Sequence, residues 1–318
     1  MKKKDFLIIF LIVLLSAFGV YYYFNNDNTT VGNDVISSLD NQLEVHYIDV
    51  GQGDSTLIKV GDNAMLIDGG TNEMEKRVID YLKGQNIKKL DYVIATHPHE
   101  DHIGGLDGVI NTFNTENVIM PKVTHTTKSF EDLLDSIEKN NLKITPSISG
   151  DRYKLGDSEF LIIGPNSKEY KNLNNYSVSI KLDYKNTSFI FTGDAEKISE
   201  DEMLEKYSTY LSADVLKLGH HGSNTSTSKK FLEAVNPSIA IASAGKGNKY
   251  NHPNKEVLER LEKRDIIVLD TINHSNIILK SDGDKITMEN GSHIQAKDNG
   301  LLNDIINIIE YLVKSLSK

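Results

Sequence analysis

The chain has 318 residues, 39% of them hydrophobic, and a formal net charge of −10; it is long enough for one large domain or two small ones with a substantial core. The acidic balance argues against a general polyanion binder, whose phosphate contacts come from Lys and Arg, while leaving room for a local basic groove. Cysteine is absent, which excludes disulfides and thiolate ligands together, so any metal must sit on His, Asp, Glu, Asn or water.

Lys2, Lys3 and Lys4 precede an apolar run from Phe6 to Val20 and an aromatic cluster, Tyr21, Tyr22, Tyr23 and Phe24. A basic start followed by an apolar segment predicts an export signal over residues 1–24. A spanning helix needs about 20 apolar residues. The run reaches that length only when the aromatic cluster serves as an interfacial belt, and that belt favours a membrane anchor over a cleaved signal. The lysines then face the cytoplasm, and the expectation is a cell-membrane, single-pass protein with its folded domain outside, or a secreted one if the signal is cleaved. Residues 25–42, polar and Asn-rich, read as a flexible linker.

The folded domain is expected over residues 43–294. Residues 43–50 alternate as a strand, and residues 54–61 and 63–70 follow as short strands with Gly-Asp turns between them. Residues 74–85 have helical spacing and stop at Gly84. Residues 90–97 form a buried strand, 107–113 start a helix, 117–121 form a strand and 129–141 an amphipathic helix. Strands are predicted at 158–165, 177–184 and 187–194, then a helix at 197–207 and a strand running from Ala213 into "GHHGS". Helices at 229–237 and 254–265 alternate with strands at 238–245, 266–271, 275–284 and 285–290. Thr225 or Ser226 is the expected cap of the helix beginning near Lys229. Many short strands interleaved with helices predict a layered α/β architecture. Residues 295–318 place Leu302, Ile305, Ile306, Ile309, Leu312, Val313 and Leu316 at helical spacing, an appended amphipathic helix expected to pack on its own domain.

Behind the strand at 90–97 stands "THPHEDHIGG". It crowds His97, His99, Glu100, Asp101 and His102 into six positions. Such a cluster repels itself when protonated and is costly to bury, and a metal ion is the obvious compensation. His97 and His99 are two apart on extended backbone with Pro98 stiffening the link, and Asp101 and His102 come from the next turn, so one pair can serve one metal and the other pair a second. Gly104 and Gly105 permit close backbone approach behind them. Neutral imidazole and carboxylate suit zinc, iron or manganese.

These motifs resemble the metallo-β-lactamase superfamily. With "HYIDVGQGDSTLI", "MLIDGG", "FIFTGDAE", "LKLGHHGSNTSTS" and "NKYNHPNKEVLERL", the resemblance extends to the hydrolase domain of ComEC-type competence proteins and their stand-alone secreted relatives, over roughly residues 43–289. The resemblance implies an αββα four-layer sandwich and a two-metal site. In it His97 and His99 would hold one divalent ion, Asp101 and His102 the other, and Asp194 would bridge both. A histidine of "GHHGS" would complete the second site, His220 being favoured over its neighbour His221. Asp101, Asp194 and His220 are thus the expected catalytic residues. The third histidine that the superfamily usually gives the first metal is missing: its segment holds Asn175 and Ser177 instead, and such oxygen-rich coordination leans toward manganese over zinc.

Asp54 and Asp68 are candidates to orient ligating imidazoles, and Asn251 and His252 resemble a motif near the substrate. His46, His125, His274 and His293 are isolated and read as ordinary. The resemblance implies hydrolysis by a metal-bridging hydroxide, with a phosphodiester as substrate, either DNA or a cell-surface polymer. The alternatives are a lactone, lactam or other carbonyl ester hydrolase, and a metal-poor module that binds DNA or a surface polymer.

Overall fold

A computed structural model describes residues 42–289; the expected membrane segment and C-terminal helix lie outside them. Among the described residues no helix is long and apolar enough to cross a membrane.

The chain opens with three antiparallel strands, β1 (Leu43–Tyr47), β2 (Thr56–Val60) and β3 (Asn63–Ile67). Helical crossovers α1 (Glu75–Gly84), α2 (Glu100–Ile103) with α3 (Leu106–Thr112), and α4 (Lys128–Lys139) then join β3 in parallel to β4 (Lys89–Ile94), β5 (Asn114–Met120) and β6 (Ile144–Pro146). The second sheet starts with the antiparallel set β7 (Arg152–Leu155), β8 (Ser158–Gly164), β9 (Ser179–Tyr184) and β10 (Thr187–Phe191). It continues in parallel through α5 (Lys197–Tyr207), β11 (Val215–Lys217), α6 (Lys229–Val235), β12 (Ile239–Ala242), α7 (Lys255–Glu262) and β13 (Ile267–Asp270). A short helix, α8 (Thr271–His274), returns the chain to the first sheet, where β14 (Ile277–Ser281) pairs with β1 and β15 (Ile286–Met288) forms the edge.

The period of two in each strand builds the layers. Tyr47, Ile58, Met65 and Ile94 point inward and meet Phe160, Leu182, Phe189 and Val215 of the other sheet. Their alternating neighbours Leu57, Leu66, Val93 and Val118 point out onto Val78, Leu82, Val109 and Leu133 of the helices. Ile163, Ile190, Leu216 and Ala240 do the same on the other side, under Met203, Phe231 and Leu261. The result is helix, sheet, sheet, helix, the expected four-layer sandwich.

Several local features differ from the sequence reading, among them the following. The edge strands β6 and β7 are short and half exposed, so they leave no alternation to detect. The third strand ends at Ile67 rather than running to Gly70, because Asp68 takes a left-handed backbone, φ +59°. The cap of α6 is Ser228, whose hydroxyl accepts the Phe231 amide at 3.4 Å; Thr225 and Ser226 lie upstream, and Ser226 donates instead to the Ala195 carbonyl at 2.8 Å.

Candidate metal centre

Layered sheets gather sites beyond the C-terminal ends of their parallel strands. Here β3 delivers Asp68, β4 delivers Thr96 and His97, β10 delivers Asp194, and β11 delivers His220 and His221. The two sheets are stitched at this end by the Val178 amide donating to the Thr96 carbonyl at 2.9 Å. The glycines behind the cluster do what their position predicted. A Cβ on Gly105 would come within 2.4 Å of the Gly69 carbonyl, and one on Gly104 within 2.3 Å of the Asn72 nitrogen. Gly53, at φ +153°, lets the 51–54 loop lie against Asp101, whose carbonyl accepts the Asp54 amide at 3.1 Å.

Asp194 stands at the centre. Its Oδ1 is 3.2 Å from His102 Nε2, and its Oδ2 lies 3.8 Å from His97 Nε2, 3.7 Å from His221 Nε2 and 3.6 Å from His220 Nε2. His221 Nε2 is also 3.3 Å from Asp101 Oδ2. His97 Nε2 and His99 Nδ1 are 2.9 Å apart, close to the spacing of adjacent ligands on one ion, given metal–nitrogen bonds of about 2.0–2.1 Å.

Each buried imidazole is held from behind. His102 Nδ1 donates to Asp68 Oδ2 at 2.7 Å. His221 Nδ1 donates to Asp54 Oδ1 at 3.0 Å. Thr96 spends its hydroxyl proton on Asp68, so its oxygen is left to accept from His97 Nδ1 at 3.1 Å. All three tautomers therefore leave Nε2 facing Asp194, the arrangement a metal ligand requires. His102 Nε2, His221 Nε2 and Asp194 Oδ1 are buried with no aligned hydrogen-bond partner. Native interiors rarely leave such atoms unsatisfied, and divalent cations fit this donor set. Asp54, His102, Asp194 and His221 each place one donor atom within 4.8 Å of the others. Both Asp54 oxygens are already committed, to His221 and to Lys217 Nζ at 2.9 Å, so its place is behind the ligands.

The electrostatics agree. Burial disfavours the His102 imidazolium, but Asp194 and Asp68 outweigh it and hold the pKa well above the ordinary value. His221 is pushed up to about 9, burial again being overcome by Asp194 and Asp54. Asp194 itself is held well below the usual carboxylate range: burial opposes this, and His102 and His221 prevail. Carboxylate charge here demands positive partners, which protons supply until metal replaces them; metal uptake at this site therefore releases protons.

The left-handed turn after β11 separates the two adjacent histidines. His220 and His221 have φ of +52° and +56°, strain that a surrounding structure must hold in place; the His220 amide is tied to the Gly193 carbonyl at 3.0 Å. His221 is thereby turned into the interior, while the His220 side chain is 25% exposed on the cavity wall, with Nδ1 3.1 Å from Thr225 Oγ1. The geometry thus favours His221 over His220 as a ligand, the reverse of the sequence preference.

Asn175 and Ser177 lie behind the site, Ser177 Oγ standing 3.4 Å from His97 Nδ1. Ser177 Oγ accepts the Asp194 amide at 3.0 Å, and Asn175 Oδ1 accepts the Glu196 amide at 3.1 Å, so both shape the Asp194 turn. Their neighbour Asn174 lines the cavity, with its Oδ1 buried and unpartnered. That cavity, about 420 Å³, opens over Asp101, Asp194, His220 and His221 and is walled by His99, His252 and Tyr250. Asn251 is exposed beside it. His125, read as ordinary, lines it too, its ring 6.3 Å from that of His99. His46 is structural, bonded to Tyr81 and Glu44, and His274 is exposed against the Asp270 carbonyl; His293 lies outside the described residues.

Lys217 carries a signal that sequence reading passed over. It is the last residue of β11, 2% exposed, and its ammonium meets Asp54. Lys217→Met is expected to destabilise the fold by about 2–4 kcal/mol, because it leaves one oxygen of a buried carboxylate without its cation while His221 holds the other. Urea unfolding checks this, and a loss below about 1 kcal/mol would show that Asp54 does not depend on the lysine.

The metallo-beta-lactamase superfamily model matches residues 48–246, most of the chain's length. The chain belongs to the metallo-beta-lactamase superfamily. The ComE operon protein 3 of Bacillus subtilis is 33% identical over 257 residues, covering 75% of this chain and 33% of that protein. Competence protein ComA of Neisseria gonorrhoeae is 29% identical, with 73% of this chain and 31% of that protein covered. The chain therefore spans about a third of the length of these relatives. Among solved structures, the metallo-beta-lactamase fold protein YhfI of Bacillus subtilis aligns with a TM-score of 0.51 at 14% identity, over 76% of this chain and all of that one, a likeness of fold. Superfamily membership makes this the fold of metal-dependent hydrolases.

Proposed function

We propose that this superfamily member is a metal-dependent phosphodiesterase of the nuclease type, working outside the cell membrane on an N-terminal anchor or as a secreted protein. One observation carries the reading: buried, unpartnered donor atoms of His102, His221 and Asp194 converge at the floor of an open cavity. One relative is named a competence protein, which suits a phosphodiester such as DNA or a surface polymer, while shorter matches to proteins named hydroxyacylglutathione hydrolase keep a carbonyl substrate as the alternative.

His97 and His99 would hold one ion, with the Asn174 amide oxygen supplying a weaker donor in place of the absent histidine. Asp101, His102 and His221 would hold the second, and Asp194 would serve both. Zinc or manganese suits this thiolate-free set. When bound, two divalent ions activate water at neutral pH and stabilise charge developing on phosphoryl oxygens. The chain's own groups do the rest. Asp68, Asp54 and Thr96 fix the imidazole tautomers. His220 presents Nε2 to the cavity, where it can donate to a phosphoryl oxygen or protonate the leaving alcohol. Burial and the neighbouring His221 and His220 push His252 down to about 4, so it stays neutral and acts as a hydrogen-bonding wall.

The test strips the purified chain of metal, restores manganese or zinc, and follows bis(p-nitrophenyl) phosphate. Metal-dependent release of nitrophenolate is expected. Two bound ions without turnover would move the assignment to carbonyl esters, and a chain that binds no ion would be a binding module.

A further inference from the structure

The metal cavity is lined by no lysine or arginine. Its neighbour is the opposite. A second cavity, about 480 Å³, is walled by Lys122, Lys168 and Lys206 together with Ser147, Ser149 and Tyr176, and no carboxylate lines it. In a chain with 45 acids and 35 basic residues, a hollow with three ammonium groups and no acid is a local reversal of sign. The Ser147 hydroxyl within it is buried and unpartnered. Lys206 is braced by the Ser149 carbonyl and hydroxyl, at 3.1 and 3.0 Å. Lys122 and Lys168 have no ion-pair partner among the described residues. Glu202 is nearby, hydrogen-bonded to Ser167 Oγ and the Tyr170 hydroxyl, and makes no ion pair with the three lysines among the described residues.

Two segments of the chain contribute residues to both cavities. The loop after β5 gives Lys122 to the basic cavity and His125 and Thr127 to the metal cavity. The turn Leu173–Tyr176 gives Tyr176 to the one and Asn174 to the other. A chain-like substrate crossing the metals would reach the lysines across this turn, whereas an isolated small diester would not.

We propose that the Lys122, Lys168 and Lys206 cavity is an anion subsite. It holds a backbone phosphate of a phosphodiester polymer whose neighbouring linkage lies over the metal centre. This rests on the phosphodiesterase reading and adds to it that the substrate is a polymer. The subsite supplies the positive charge that phosphate recognition needs and that the metal cavity's side chains lack.

The experiment measures binding of a fluorescent oligothymidylate to the metal-loaded chain by initial anisotropy across a salt series, with a glycerol-phosphate oligomer as competitor. Lys122→Gln with Lys168→Gln is expected to weaken binding about tenfold and to flatten the log–log salt slope by about 1.4, at ~0.7 per lost contact to a single strand. The pair Lys122→Arg with Lys168→Arg, which keeps the charge, is expected to restore both. Strong competition by the glycerol-phosphate oligomer would mean that the site reads phosphate backbone of either origin; weak competition would assign it to nucleic acid. Unchanged affinity and slope in the glutamine pair overturn the proposal, as does failure of the arginine pair to rescue. Hydrolysis of bis(p-nitrophenyl) phosphate by the unmutated chain reports separately on the phosphodiesterase reading, so the two can fail independently.

Discussion

Asp194→Asn is expected to lower metal-dependent phosphodiester turnover by about a thousandfold or more and to reduce bound metal. The substitution is nearly isosteric, so the fold should persist. What changes is charge and donor character at the one residue within 4 Å of four imidazole nitrogens. An amide is neutral, and one of its two atoms becomes a donor pointed at nitrogens that themselves need a cation. Loss of the shared anionic ligand removes several kcal/mol of transition-state stabilisation, and ~4 kcal/mol is about a thousandfold in rate. Hydrolysis of bis(p-nitrophenyl) phosphate, with metal counted by mass spectrometry and the fold followed by circular dichroism, checks it. Wild-type turnover with full metal content in a folded variant would remove Asp194 from the centre.

The second large effect separates two adjacent histidines. His221→Ala is expected to leave about one ion per chain and almost no turnover, because His221 is buried and its Nε2 is unpartnered between Asp101 and Asp194. It also frees Asp54 from one of its two cationic partners, so a lower melting temperature should accompany the loss. His220→Ala is expected to keep both ions and to lose roughly 10–100-fold in kcat/KM, the range seen when a residue supporting a metal site is removed. The measurement is metal stoichiometry for the two variants side by side. The reverse order, with His220→Ala losing the ion, would restore the sequence preference and refute the orientation drawn from the strained turn.

Much of the site was legible because it is local. His97, His99, Asp101 and His102 occupy consecutive turns after one apolar strand, and their spacing alone argues for metal. The strand ends carrying Asp68 and Asp194 could be read from alternation running into Gly-containing turns. Asp54 and Asp68 were recognised as carboxylates able to sit behind imidazoles, and the structure finds each bonded to one.

What escaped was long-range. Lys217 and Asp54 are 163 positions apart, and nothing in "DVLKLG" says that the lysine is buried. His125 seemed isolated because its partner, His99, reaches it only through packing of the loop after β5. Asn174 and Asn175 are chemically the same, and the pitch of one short turn decides which faces the cavity.

The sequence by itself therefore pointed to a metal-binding cluster and a layered fold, since ligand spacing and strand period are properties of adjacent residues, and its family resemblance pointed to hydrolysis. Only the tertiary structure decided which member of each adjacent pair takes which place, His221 rather than His220 in the interior and Asn174 rather than Asn175 on the cavity wall. It also decided that three lysines scattered over 85 positions share one hollow. The physical reason is the same in each case: a side chain's direction depends on the sign of φ and on contacts closed across the sheets, neither of which is encoded in the identity of the residue next door.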